Sequence, residues 1–272
     1  MKIKIILPLL FSVILLLGCQ KKEASAPLNE GILDGEYEVL PTASASASIT
    51  EQGFALAVNA GFYILSGDDT GDEKTKTKWA ASISLGEKVL LGNTRQMILE
   101  SDNRVYEFIE VRRLSNNTEG YVLSWQVAKD GQLAVVIGDN TNLYRTARII
   151  DVSGVILTRR SVVVYYPQTE TEGFVQVKGY DIGRKQYIAE NNSFIRYDTL
   201  SRRESDIQSA ILLQTALALT AERQASQREA LLKSALEYFP DSIFYSEIFE
   251  VAFPDSIADS HYNYESTHNE ND

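Results

Sequence analysis

The sequence predicts a mainly β chain closed by helices: two tandem small β units and an α-helical C-terminal cap. Three observations carry this. Between Ile32 and about Thr199, short runs rich in Val, Ile, Tyr and Phe alternate with Gly, Asn, Asp and Ser. No stretch from residue 40 to 199 sustains a 3.6-residue period. After Ser201 the text turns helical, with apolar faces and no strand alternation. At 272 residues and a formal net charge of −11, the chain is long enough for several small domains and too acidic to track a phosphate backbone. Nucleic acid is therefore excluded as an expected partner.

The elements follow in chain order. Residues 1–18 open with Met-Lys-Ile-Lys and run apolar from Ile5 to Leu17, the length of a signal peptide's hydrophobic region and short for a spanning helix. The run ends Leu16-Leu17-Gly18-Cys19, and Cys19 is the single cysteine of the chain. This resembles the lipobox of bacterial lipoproteins. The resemblance implies cleavage between Gly18 and Cys19, with a diacylglycerol thioether and a fatty acyl group such as palmitate on Cys19. The membrane is then a partner through the N-terminal lipid, and Gln20 in place of Asp favours the outer membrane over the inner. Residues 19–31 are polar and aperiodic and read as a tether.

Strands are expected at Phe54–Val58, Lys88–Leu91, Val105–Val111 and Gly120–Trp125 in a first unit, residues 32–128. A second unit, 129–199, carries them at Gln132–Ile137, Arg160–Tyr166 and Gly173–Lys178. The units repeat each other. Phe108-Ile-Glu-Val111 matches Phe174-Val-Gln-Val177, Phe62-Tyr63 matches Leu143-Tyr144, and Gly120-Tyr121-Val122 is set against Gln186-Tyr187-Ile188. The order of these features, with Tyr63-Ile-Leu-Ser-Gly67, Leu85-Gly86, Phe108/Val111 and the closing Gly120-Tyr121-Val122, resembles the bacterial SH3-like domain. The second copy lacks the Ser-Gly turn and the closing Gly. The resemblance implies two tandem SH3-like β-barrels, each filled by its own side chains: Val58, Val89, Phe108, Val111, Val135, Val163, Phe174 and Val177. In that family an aromatic groove between loops takes extended peptides, and Tyr63, Trp79 and Tyr144 are the groove candidates here. Half-buried strand tyrosines with wet hydroxyls are the alternative for the same residues.

Residues 200–253 read as a helical hairpin and a short third helix. Ser201-Arg-Arg-Glu204 and Ser226-Gln-Arg-Glu229 have capping-box spacing. The first helix extends to about Glu222, the second carries Leu231, Leu232, Ala235, Leu236 and Phe239 and stops at Pro240, and the third runs from about Ser242 to Ala252. Leu212, Ala216, Leu219, Leu232, Ala235 and Pro240 resemble the spacing of one tetratricopeptide repeat, with Arg228 where a small residue belongs. A lone repeat leaves a face uncovered, so these helices pack on the second barrel or on a partner. Residues 254–272 are acidic and polar, and disorder is expected.

No catalytic constellation is legible. His261 and His268 sit in the tail. Asp68-Asp69-Thr70-Gly71-Asp72-Glu73 begins like a calcium loop, but Glu73 replaces the required Gly and Trp79 falls where the bidentate Glu belongs. The single Cys excludes a disulfide framework and a cysteine zinc site. The expectation is a non-enzymatic envelope lipoprotein without cofactor or metal, binding an envelope protein or peptide. The alternatives are an envelope-assembly scaffold that uses its helices, and a hydrolase of cell-wall material.

Overall fold

The computed structural model describes residues 49, 51–66, 75–188 and 193–254. The leader with Gly18 and Cys19, the tether, the Asp68–Glu73 loop and residues 255–272 with both histidines lie outside the described residues.

Two sheets and a helical layer make up the described chain. The first sheet contains β1 (Glu51–Ala55), β2 (Ala60–Leu65), β3 (Lys76–Ile83), β4 (Lys88–Leu99), β5 (Arg104–Arg113), β6 (Glu119–Leu123) and β7 (Val127–Lys129). Its strand order is β3-β2-β6-β5-β4-β1-β7, and β3 also meets the far end of β4 in parallel, Lys76 opposite Ile98 and Thr77 opposite Leu99. The second sheet contains β8 (Gln132–Val136), β9 (Asn140–Tyr144), β10 (Val152–Thr158), β11 (Val162–Thr171), β12 (Phe174–Asp181), β13 (Gln186–Ile188), β14 (Phe194–Arg196) and β15 (Leu200–Ser201). Its order is β10-β9-β14-β12-β11-β8-β15, with β13 attached to β12.

Strand for strand, the two orders coincide once β13 is set aside. The registers agree as well. Tyr63 faces Tyr121 across β2 and β6, and Tyr144 faces Phe194 across β9 and β14. Val111 faces Leu91 and Val177 faces Tyr165 in the central hairpins. This corrects the expected alignment at the end of the repeat. The counterpart of Tyr121-Val122 is Phe194-Ile195, because Ile109 pairs with Val122 as Val175 pairs with Ile195. Tyr187-Ile188 belongs to β13, an arm that the first unit lacks.

Alternation dictates which residues fill each interior. Val89, Phe108, Val111, Val163 and Val177 are fully buried within the sheets, and Phe174 is nearly so. Two expected core residues behave otherwise. The strand expected over Phe54–Val58 ends at Ala55, since Asn59 adopts a positive φ of 63° and turns the chain, leaving Val58 half-buried against the helices. Val135 is buried, but it faces the helices too. The units meet through Leu56, Ala128, Val164 and Tyr166. A buried ion pair braces the first: Glu87 accepts two bonds from Arg113, at 2.8 and 2.9 Å, and one from Ser115.

The helices are α1 (Glu204–Ala218), α2 (Ala225–Tyr238) and α3 (Tyr245–Ala252). Neither expected capping box forms. Arg203 is the N-cap of α1, and the Ser201 hydroxyl donates to Asp206 instead. Asp206 also accepts the Ile243 amide at 3.0 Å, so this serine and aspartate tie α1 to the start of α3's segment. A short 3-10 turn, Glu222–Gln224, precedes α2 and places Ser226 inside the helix. The first helix also ends four residues before Glu222, at Ala218. Ala210, Leu213, Ala216, Ala235 and Phe244 pack with Leu85 of the first unit and with Val135 and Val162 of the second. The cap thus bridges both units. Gly86, at φ +72°, lets Ile211 approach: a Cβ there would lie 2.7 Å from the Ile211 Cδ1. At the second unit, Arg159 lies over the Phe244 ring and binds Glu247 of α3 at 2.5 Å.

Candidate functional site

Tyr63 lies at the centre of a band of half-buried rings on the first unit. On β2 it faces Trp79 of β3 on one side and Tyr121 of β6 on the other. Its ring folds back over Gly61, two residues earlier on the same face, where a Cβ would fall 2.5 Å from the Tyr63 hydroxyl. The ring rests edge-on against buried Phe108, centroids 5.4 Å apart. Beneath the band, Met97, Phe108 and Leu123 form a small core of their own.

Tyr106 shares a face with Phe108 because it lies two residues away on β5. Its hydroxyl donates to Asp102 Oδ2 at 2.6 Å, and its ring packs edge-on against Trp125 at 5.6 Å. That hydrogen bond holds the Asp102 carboxyl below the ordinary carboxylate range and raises the Tyr106 phenol. The Tyr63 phenol is raised chiefly by burial, then by the nearby Asp102 and Tyr106.

The second unit contributes the other end of the band through β13. Tyr187 stacks edge-on with Tyr180 at 4.9 Å. Burial, and then the Tyr180 phenol, push the Tyr187 phenol up to about 12, while a bond from the Gln126 side chain opposes the rise. Gln126 Oε1 also accepts the Gly61 amide at 3.1 Å. One glutamine therefore joins the strand beneath Tyr63 to the tyrosine that crosses from the second unit.

Of the three groove residues expected from sequence, Tyr63 and Trp79 become neighbours, with Trp79 62% exposed beside the band. Tyr144 is not brought to them. It is only 7% exposed in the second sheet, edge-on to Phe174 at 5.0 Å, where it repeats the Tyr63–Phe108 contact as a core residue. Sequence reasoning missed Tyr106, Tyr121, Trp125, Gln126 and Tyr187 as site residues. The same-face spacing of Tyr106 and Phe108 could have recruited Tyr106, whereas nothing local connects Tyr187 to Tyr63.

Chemically, neutral phenols, one indole and one carboxylate offer apolar ring faces edged by hydrogen-bonding groups, which suits an extended chain with alternating side chains. Among the described residues there is no Cys or His, and no three metal-ligating side chains converge.

No protein-family profile matches this chain, and no curated protein does. Among solved structures, NlpC2 from Trichomonas vaginalis aligns at 11% identity with a TM-score of 0.20. The alignment covers 64% of this chain and 57% of that one, little more than half of its length. A superposition that poor says nothing about the chemistry of this chain.

Proposed function

We propose that this protein is a lipid-anchored lipoprotein of the bacterial envelope, held through Cys19 and preferentially at the outer membrane, and that its first β unit is a non-catalytic binding module for an extended peptide of an envelope partner. The band centred on Tyr63 is the observation that carries the binding reading. Four rings of the first unit, Tyr63, Tyr106, Tyr121 and Trp125, pack on one small core there, and Tyr187 of the second unit, with Tyr180 against it, joins them through Gln126. All six remain half-buried although rings of that size would gain by full burial. The shared strand order of the sheets supports an SH3-like reading, and in the first unit so does the parallel contact that returns β3 to β4. The scaffold alternative has its own observation. Phe249 of α3 and Phe253, just past its C-terminus, pair at 5.0 Å, each 38% exposed.

A pull-down from detergent-solubilised membranes separates the two. Truncating a buried ring anchor typically costs about 2 kcal/mol or more, so Tyr63→Ala with Tyr121→Ala should reduce partner recovery at least about tenfold. Phe249→Asp should leave it unchanged. The opposite pattern would assign the partner to the helices.

A further inference from the structure

The duplication exposes one place where the units differ in an unexpected direction. Trp79 and Val152 occupy matching positions, opposite Tyr63 and Tyr144. Counting back along each chain sets Lys76-Thr77 against Ile149-Ile150. In the first unit this position is sealed. Thr77 is fully buried, its hydroxyl donates to the Ile98 carbonyl, and its own carbonyl accepts the Glu100 amide at 2.9 Å. The seal is possible because the β4–β5 hairpin is long, its return strand paired from Arg104 to Arg113. In the second unit the matching return strand is paired from Phe174 to Gly179, so it begins three residues before Val177 where the first begins seven before Val111, and no strand reaches the position. The polar residue is buried where the hairpin covers it, and the apolar pair stands in water where it does not: Ile149 is 62% and Ile150 85% exposed.

These isoleucines occupy the two central places of a tight turn, closed by the Asp151 amide on the Arg148 carbonyl at 3.1 Å. Such places ordinarily take Gly, Asn, Asp or Pro. The turn is also braced from below. The Asp151 carbonyl accepts the Arg145 amide, and the Asp151 carboxylate accepts the Thr146 hydroxyl, both at 2.9 Å. Val152 and Ile156 continue the apolar surface along β10. Around it stand cations. Arg148 opens the turn, Arg145 lies at its base, and Arg184, beside Lys185, reaches the Gly154 carbonyl of β10. Two of these cations have acids beside them: Asp151 lies 3.7 Å from Arg145, and buried Asp181 lies 3.9 Å from Arg184.

We propose that the Ile149–Ile150 turn inserts into an anionic phospholipid surface, with Arg145, Arg148, Arg184 and Lys185 at headgroup level. Two aliphatic side chains on a convex, braced tip enter a bilayer interface without a matching cavity. Cations gathered on one side of a chain with net charge −11 direct that side, and not the acidic remainder, toward anionic headgroups. This turn belongs to the second unit, apart from the ring band, and its insertion does not depend on acylation of Cys19.

The test uses the full chain carrying Cys19→Ser, so that a thiol introduced by Ile150→Cys is the only one and takes an environment-sensitive fluorophore. A second sample carries the label through Tyr238→Cys on α2. Each is floated with vesicles of pure phosphatidylcholine, or of equimolar phosphatidylcholine and phosphatidylglycerol, and only floated protein is measured. The expected result is a blue shift with quenching by doxyl lipid at position 150 on the anionic vesicles alone. That signal should be lost with Arg148→Glu and Arg184→Glu and weakened by salt, while position 238 stays aqueous. A label at 150 that reports water on both compositions, or insertion equally on both, overturns the proposal. Failure to float with anionic vesicles overturns it as well. A shift appearing only on addition of a protein would assign the turn to a protein partner instead. Because Ile150 is so exposed, its replacement leaves the core intact, and Ile149→Cys provides an independent label.

Discussion

The ring of Tyr63 stands edge-on to the ring of Phe108 at 5.4 Å and 80°, and its counterpart Tyr144 stands edge-on to Phe174 at 5.0 Å and 79°. One geometry is used twice, with opposite exposure. In the second unit the tyrosine is sealed in the core, and in the first it remains half-open beside Trp79.

That difference predicts unequal costs of truncation. Tyr144→Ala should destabilise the protein by about 3–5 kcal/mol, as expected for a large ring removed from a packed core. Tyr63→Ala should cost about 1–2 kcal/mol, chiefly the edge-on contact and part of a buried face. Denaturant unfolding of both variants measures the difference, and equal costs would mean that Tyr63 is a core residue rather than part of a surface.

Alkaline stability should report on the tyrosine band. The Tyr187 phenol ordinarily titrates near 10 and is pushed up to about 12 in the folded chain. The folded state therefore holds a proton that the unfolded state releases between these values. Its stabilising contribution is complete below pH 10 and is lost as pH rises toward 12. Tyr63, Tyr165 and Tyr180 are shifted in the same direction, chiefly by burial. Melting temperature should fall more shallowly over this window in Tyr187→Phe than in the wild type. Phenolate absorbance followed through the same titration should show the late-titrating step disappear.

Gly86 offers a test of how the cap is docked. Gly86→Ala places a Cβ 2.7 Å from Ile211 Cδ1 and forces a side chain onto a φ of +72°, so a loss of about 1–3 kcal/mol is expected. Ile211→Val removes the clashing methyl but leaves the backbone strain. The double variant should therefore recover part of the loss that the two single variants predict by addition. Simple additivity in chemical denaturation would show that the helix and the Gly86 turn do not touch.

Cys19→Ser should abolish incorporation of labelled fatty acid and stop processing of the leader. Metabolic labelling followed by detergent partitioning checks this. Continued labelling in the variant would refute the lipobox resemblance.

The sequence by itself determined the division into a β part and a helical part near residue 201, because periods of 2 and 3.6 residues are local properties of the chain. It also determined much of the interior: Val89, Phe108, Val111, Val163 and Val177 alternate or cluster as buried strand residues must. The duplication was legible through Phe108 and Phe174, up to the point where β13 intervenes. Only the tertiary structure decided that Phe194, and not Tyr187, answers to Tyr121, since a short inserted strand shifts sequence spacing without changing sheet order. Tertiary structure alone also sent Tyr144 into a core and brought Tyr187 to Gln126, beside the strand that carries Tyr63. The caps followed the same logic. Ser201 has an N-cap's sequence context, yet its hydroxyl serves Asp206, which itself secures Ile243 from 37 residues away. Cross-strand register and helix docking are set by contacts between distant segments, so the residues that share a surface cannot be inferred from the spacing within any one of them.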